Sequence, residues 1–167
     1  LANSPHIRQS RPLQALTRIV MQHVSPDWRK ANLSGELAEQ SEPYPDSVGI
    51  GHYLYMDLHA RTGNMDGKGG ACYPFRIPAG ALIPVRVKNV LAAAKNIGTT
   101  QMTNGCYRLH TVEWAVGEAA GALAALSVSK GESPAGVRKN HLADLQKTVQ
   151  DLGCPIDWPT QVRNQYK

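Results

Sequence analysis

Aromatic side chains are scarce in this sequence: one Phe, three Trp and six Tyr make up 6% of 167 residues. A core built with so few relies on aliphatic packing and close backbone approach, and 15 glycines and 11 prolines supply tight turns for it. Acidic residues are also in the minority, 13 against 18 Lys and Arg, which gives a formal charge of +5 and an isoelectric point near 9.2. Such a balance reads either as an ordinary solvated surface or as a field that attracts anions. The basic residues, among them Arg8, Arg18, Arg86, Lys88 and Arg163, form no stripe interleaved with aromatics. Nucleic-acid binding is therefore not expected. Cysteine is rare too. Cys72, Cys106 and Cys154 form no CxxC pair, and their odd number argues against a disulfide framework, so buried free thiols are expected. His6, His23 and His141 have no partner pattern, and no metal site is expected. No stretch reaches the roughly 18 uncharged apolar residues of a membrane span. Nothing at Leu1 resembles a signal peptide, and the compartment stays open.

A Gly-x-Gly-x-x-Gly fingerprint is also missing: Gly49-x-Gly51 lacks the third glycine. Gly63 to Lys68 is one residue short of a phosphate-loop spacing, and Gly69 stands where that loop needs Ser or Thr. Residues 60–72 read instead as a mobile hairpin or lid.

What is present is enough for one compact domain, burying on the order of 70% of its unfolded surface. Four stretches are distinguishable within it. Residues 1–46 are polar and basic and read as extended or partly helical. The spacing of Leu13, Leu16, Ile19 and Val20 suits helix and strand equally, and the polar run from Ser25 suits a surface loop, with Asn32-Leu33-Ser34 as an accidental sequon. Residues 47–130 hold the strands and the most informative segment. Residues 131–153 suggest C-terminal helices. Gly131 is placed to end one, and Asn140 to cap an amphipathic one carrying Leu142, Leu145, Val149 and Leu152 up to Gly153. Residues 154–167 read as an extended tail.

Within the second stretch, His52 to His59 alternates at period two, which suggests a strand placing Tyr53, Tyr55, Asp57 and His59 on one face. Residues 81–87 and 89–94 are further strand candidates. After residue 94 a polar, glycine-bearing loop delivers Arg108 and His110 to a helix running from about Thr111 to Lys130, rich in Ala and Gly. First-turn N–H groups near Val112 to Ala115 would face a negative group with the helix dipole behind them. A buried Ala/Gly helix packed on a sheet explains the same residues without a ligand. Arg108 and His110 share a face if the loop is extended. They could hold an anion and exchange a proton, or serve as a structural Arg and a surface His. His59 beside Asp57 could be an oriented base or merely a structural pair.

Residues 89–126 resemble the C-terminal part of a family of FAD-dependent oxidoreductases with a glutathione-reductase-like flavin fold. The resemblance rests on Ala94-Lys95-Asn96-Ile97-Gly98 followed by Arg108-Leu109-His110-Thr111-Val112-Glu113-Trp114-Ala115-Val116-Gly117-Glu118-Ala119-Ala120-Gly121. Thr111 replaces a proline usual in that family. Residues 46–59, Pro74 to Pro78 and Ala81 to Pro84 also look like family blocks, and Arg8-Gln9-Ser10-Arg11-Pro12 is similar to another.

The resemblance implies an α/β fold: the C-terminal portion of an FAD/NAD(P)-binding-like fold, with a mixed sheet and a buried Ala/Gly helix but without the N-terminal βαβ unit. It implies FAD as cofactor. Ala94, Lys95, Asn96 and Ile97 would approach its ribityl and pyrophosphate groups, and Thr111, Glu113, Trp114, Ala115, Val116 and Gly117 its pyrimidine edge. His110, Arg108 and His59 would face a small-molecule substrate that yields a hydride to the flavin. The expected partner is an N-terminal flavin-binding segment or chain within a larger assembly. The alternative is a non-catalytic accessory subunit that kept the scaffold without the cofactor.

Overall fold

A computed structural model describes residues 13–56 and 70–166. The Arg8–Pro12 block, His59 with Asp57, and the glycine-rich stretch up to residue 69 lie outside the described residues.

Among the described residues the sheet is one antiparallel pair, β1 (Ser47–Gly51) and β2 (Phe75–Pro78). Ser47 faces Pro78, Ile50 faces Arg76 and Gly51 faces Phe75, with an irregularity between Ser47 and Ile50. The α/β class holds in this reduced form, whereas the larger mixed sheet is not found there. Residues 81–87 and 89–94 are not strands. Ala79–Ala81 is a short 3-10 turn, residues 85–90 are exposed, and contact with the body resumes where Ala92 donates to the Leu82 carbonyl at 2.9 Å. Val85 N donates to the Gln14 carbonyl at 2.9 Å beside the Ala15–Pro84 bridge, but an apolar run whose pairing goes no further does not become a strand. Tyr53 and Tyr55 are exposed together with Leu54, so the expected alternation is not seen between them.

Residues 13–19 are extended. Leu16 and Thr17 donate to Ile83 and Gly80 carbonyls on one side, and Leu13 and Ile19 donate to those of Asn96 and Gly98 on the other, at 2.7–3.0 Å. Gln14, Leu16 and Arg18 are exposed while Ile19 is buried, the period-two alternation of a strand.

The described residues form six α-helices, in chain order α1 (Pro26–Asn32), α2 (Gln101–Tyr107), α3 (His110–Lys130), α4 (Pro134–Asn140), α5 (Leu142–Asp151) and α6 (Thr160–Asn164), of which α1 precedes the strands. Helix α1 corrects the polar-loop reading of residues 25–46. The Ser25 hydroxyl accepts from Trp28 N, Pro26 occupies the first turn, and buried Arg29 donates to the Leu37 and Gln22 carbonyls and pairs with Glu42 at 3.0 Å. Helix α5 begins at Leu142 with His141 at its N-cap, because Asn140 is the last residue of α4. Gly131 (φ 67°) and Gly153 (φ 88°) adopt the left-handed conformation expected of glycines after helices. The tail is not simply extended: Arg76 binds Asp157 through Nε at 2.8 Å and Nη2 at 2.7 Å, Trp158 Nε1 donates to the Phe75 carbonyl, and α6 follows.

Helix α3 packs against β1, α4 and α5. The two glycines of the incomplete fingerprint make this approach possible. A Cβ on Gly51 would lie 2.7 Å from Val112 Cγ2, and one on Gly49 would lie 3.3 Å from Ala115 Cβ. Val112, Val116, Ala119, Leu123 and Ser127 are buried. The opposite side, Trp114, Gly121, Ala124, Ala125 and Val128, is exposed, so the burial expected of α3 is found on one side of the helix and not on the other. All three cysteines are buried free thiols, as expected. Among the described residues no helix is long and apolar enough to cross a membrane.

Candidate functional site

The presumed loop between residue 94 and α3 contains a helix the sequence reading missed. Thr100 and Thr103 cap α2 reciprocally: Thr103 N donates to Thr100 Oγ1, and Thr100 N donates to Thr103 Oγ1. The fourth helical residue, Asn104, ties the preceding segment down. Its Nδ2 donates to the Lys95 carbonyl at 2.9 Å and to Thr99 Oγ1 at 3.1 Å. The carbonyl can only accept, so the amide nitrogen must face it and Oδ1 is left without a partner. Gly98 is required here, since a Cβ would fall 2.5 Å from Ala15 Cβ and 2.6 Å from the Thr17 carbonyl.

Helix α2 ends on Tyr107, fully buried and stacked on Phe75 at 4.0 Å, its hydroxyl donating to the Arg76 carbonyl. Burial pushes this phenol well above its ordinary value, so it is a structural post and not a proton donor in neutral solution. Arg108 is the C-cap of α2, Leu109 is the N-cap of α3 and His110 its first residue. Arg108 and His110 therefore sit on a helix–helix junction and not on one extended loop. Thr111 lies inside the first turn and does not cap it. Leu109 offers no side-chain cap, so the N–H groups of His110, Thr111 and Val112 have no such partner, whereas Glu113 N already donates to the Leu109 carbonyl. The anion-facing turn thus lies about two residues earlier than the spacing suggested.

Three of the sequence-predicted residues meet at one carboxylate. Glu113 Oε2 lies 3.2 Å from His110 Nδ1 and 3.6 Å from Lys95 Nζ. The Glu113 side chain is only 17% exposed, while His110 is 86% exposed. This cluster fastens the residue 94–97 segment to the start of α3. One turn further along, a Cβ on Gly117 would meet the Ala93 carbonyl at 3.5 Å, so the segment runs on beside the helix. Ala93, Ala94, Thr111 and Trp114 are exposed along this line, and Asn96 and Ala115 are half-buried. Ile97 and Val116 point into the core and leave only backbone for a ligand. His59 lies outside the described residues.

Beside the same segment is a groove of about 300 Å³ lined by Leu13, Gln14, Ala15, Arg18, Thr99, Thr100 and Gln101. Sequence reading had passed over Arg18 as one scattered cation and had not singled out Asn104. The alternation from residue 13 to 19 and the Thr100-x-x-Thr103 capping pattern were the available signals. Among the described residues no cluster of three or more His, Cys, Asp or Glu could hold a metal ion.

A family model described as FAD dependent oxidoreductase matches residues 1–149. No curated protein and no solved structure matches the chain.

Proposed function

The chain belongs to the FAD-dependent oxidoreductase family, and from that premise we propose that it supplies the isoalloxazine and substrate side of a flavin site, with the ADP-binding half contributed by further polypeptide. Its function is of the flavin oxidoreductase type, and FAD is the cofactor that the family implies.

One observation carries the division of labour. On the side of α3 away from β1, Trp114 is 74% and Val128 84% exposed beside Gly121, Ala124 and Ala125, with Glu118 the acidic residue among them. Large apolar side chains grouped on one exposed face mark a surface that another element can cover. The glycines of α3 on or beside this side have no steric cause among the described residues. A Cβ at Gly121 would meet nothing within 4 Å, and one at Gly117 would make ordinary contact. Glycine inside a helix costs roughly 0.5–1 kcal/mol relative to Ala, so its use here is explained by something flat laid against the helix. The residues present fit FAD in this respect.

When bound, FAD supplies the redox chemistry by accepting a hydride from the substrate. The residues of this chain bind and orient. The first-turn N–H groups of α3 present the positive end of its dipole, typically worth ~0.3–1 kcal/mol toward a negative group. Glu113 holds Lys95 and His110 in fixed relation, and His110 is placed to take up or release a proton at the solvent side. Arg108, at the helix junction, is the candidate for an anionic substrate group.

The test is to purify the chain with whatever polypeptide accompanies it, and to record the visible flavin spectrum and the intact mass of every component. A yellow assembly containing Gly-x-Gly-x-x-Gly is expected. A colourless chain that stays alone and takes up no FAD would refute the reading and favour the accessory role.

A further inference from the structure

The groove between residues 13–18 and 99–101 has a composition that none of the roles above uses. Its volume, about 300 Å³, is that of a small-metabolite pocket. Among the described residues Arg18 is the one charged residue lining it, and no carboxylate does. That guanidinium has no hydrogen bond or ion pair among the described residues, whereas Arg29, Arg76, Arg138 and Arg163 are all bonded to side chains of this chain. Leu13 and Ala15 supply apolar wall, and Gln14 an amide. Thr99 and Thr100 are already engaged, Thr99 Oγ1 with Asn104 and Thr100 Oγ1 in the α2 cap, so they hold shape and leave the ligand's charge to Arg18.

The backbone carrying Arg18 is fixed on both flanks. Thr17 N donates to the Gly80 carbonyl at 3.0 Å and Ile19 N to that of Gly98 at 2.7 Å. The contact at Gly98 is too tight for any side chain, so the two walls cannot slide. A fork-shaped cation on a rigid edge, above an apolar wall and without a competing acid, binds a planar oxyanion bidentately.

We propose that this groove is an oxyanion site in which Arg18 holds the carboxylate or phosphate of a small molecule. It rests on the flavin reading for its purpose, because the groove shares Thr99 and Thr100 with the segment that Asn104 ties to Lys95, beside the proposed flavin face. A carboxylate would come from the substrate, and a phosphate from the cofactor.

The experiment titrates succinate and, separately, inorganic pyrophosphate into the chain by calorimetry, comparing wild type with Arg18→Gln, Arg18→Lys and the exposed control Arg86→Gln. Loss of one charge-assisted bidentate contact should weaken binding roughly 10- to 100-fold in Arg18→Gln. A smaller loss is expected in Arg18→Lys, which keeps the charge without the fork, and none in Arg86→Gln. Preferential binding of succinate, with FAD retention by the assembly unchanged in Arg18→Gln, assigns the site to substrate. Preferential binding of pyrophosphate with weakened FAD retention assigns it to cofactor. Equal binding by wild type and Arg18→Gln, or no binding of either probe by wild type, overturns the proposal. The calorimetry needs no flavin, so a chain that never takes up FAD would sink the earlier reading while leaving this one to be decided by the titration.

Discussion

Substituting Gly121 separates a helix face that waits for a cover from one that merely faces water. At this position a new Cβ meets nothing within 4 Å among the described residues, so the change creates no clash with them. Replacing a helical glycine by alanine recovers roughly 0.5–1 kcal/mol of backbone entropy and propensity. For a domain of this size 1 kcal/mol moves the melting temperature by about 2–4 °C, so Gly121→Ala should melt about 1–4 °C higher than wild type. Gly121→Leu should keep most of that gain, because leucine is also a good helix former. Both variants place atoms where the uncovered side of α3 is proposed to receive FAD or the polypeptide that carries it. Flavin retention in the purified assembly should therefore fall, modestly for alanine and severely for leucine, while the isolated chain becomes more stable. The two signs are opposed, and general damage to the fold cannot produce that pattern. The assay pairs differential scanning fluorimetry of the chain with the flavin-to-protein absorbance ratio of the assembly. Should Gly121→Leu be stabilised and retain flavin at the wild-type ratio, the face is ordinary surface and the reasoning fails.

Gly98→Ala should act in the reverse direction, costing about 1–3 kcal/mol or more, because the Thr17 carbonyl 2.6 Å away is backbone and cannot yield; urea unfolding measures it. Glu113→Gln removes the bridge between Lys95 and His110, and since that pair of contacts is partly exposed the melting temperature should change little while flavin retention drops several-fold; an unchanged retention would remove the cluster from the site. His23 Nδ1 accepts from Val20 N at 3.2 Å and contacts the Tyr44 hydroxyl at 2.6 Å, and burial, the largest influence, holds its pKa below the ordinary value near 6.5. The unfolded chain then binds more protons than the folded one, so stability present at pH 7.5 should decline as pH falls through about 6.5, and His23→Gln should flatten that slope in urea titrations. Trp158→Phe deletes the bond to the Phe75 carbonyl and should free the end of the chain locally, read as faster proteolysis after Gly153 with α3 still protected from hydrogen exchange.

Elements with local punctuation were legible in the sequence, and those fixed by contacts distant in sequence were not. Helix α3 could be read because Lys130-Gly131 marks its end and small residues fill it. Helix α4 lies within the 131–153 stretch expected to be helical, and Ser133 capping it ahead of Pro134 is a local signal of the same kind. Helix α2 was hidden because its cap is a Thr–Thr pair and its interior holds Gly105, a poor helix former; Tyr107 anchoring on Phe75 overrides that local preference. The same tertiary override turns residues 25–46 from loop into helix and 3-10 turn around the buried Arg29 guanidinium. Residues 85–90 failed in the opposite sense. Val85, Val87 and Val90 have the composition of a strand, but a strand is a property of a pair, and the pairing with residues 14–15 stops at the Ala15–Pro84 bridge and the Val85 N bond to the Gln14 carbonyl. In the candidate site, residue types identified Lys95, His110 and Glu113 individually. That one carboxylate joins them depends on α3 starting at His110, which spacing alone placed a residue late.

The uncovered surfaces also constrain the side from which a covering element could approach. Three directions around α3 are taken: β1 lies against Val112 and Ala115 through Gly49 and Gly51, and α4 and α5 close two more. The back of the hairpin is closed as well. Residues beyond the family match fold over it, with Asp157 on Arg76, Trp158 on the Phe75 carbonyl and the Ile156 carbonyl accepting from Ser47 Oγ. What stays open among the described residues is the side bearing Trp114, Gly121 and Val128, together with Ala93 and Ala94, which come just after buried Ala92. The contact between Gly117 and the Ala93 carbonyl shows that the helix and this segment are neighbours there, so a cover laid on one would meet the other. Burying apolar area is worth about 25 cal/mol per Å², and a single covering element gains from both surfaces at once. That convergence is why a single cover, such as the proposed flavin-bearing polypeptide, would account for the exposed apolar residues of both surfaces together.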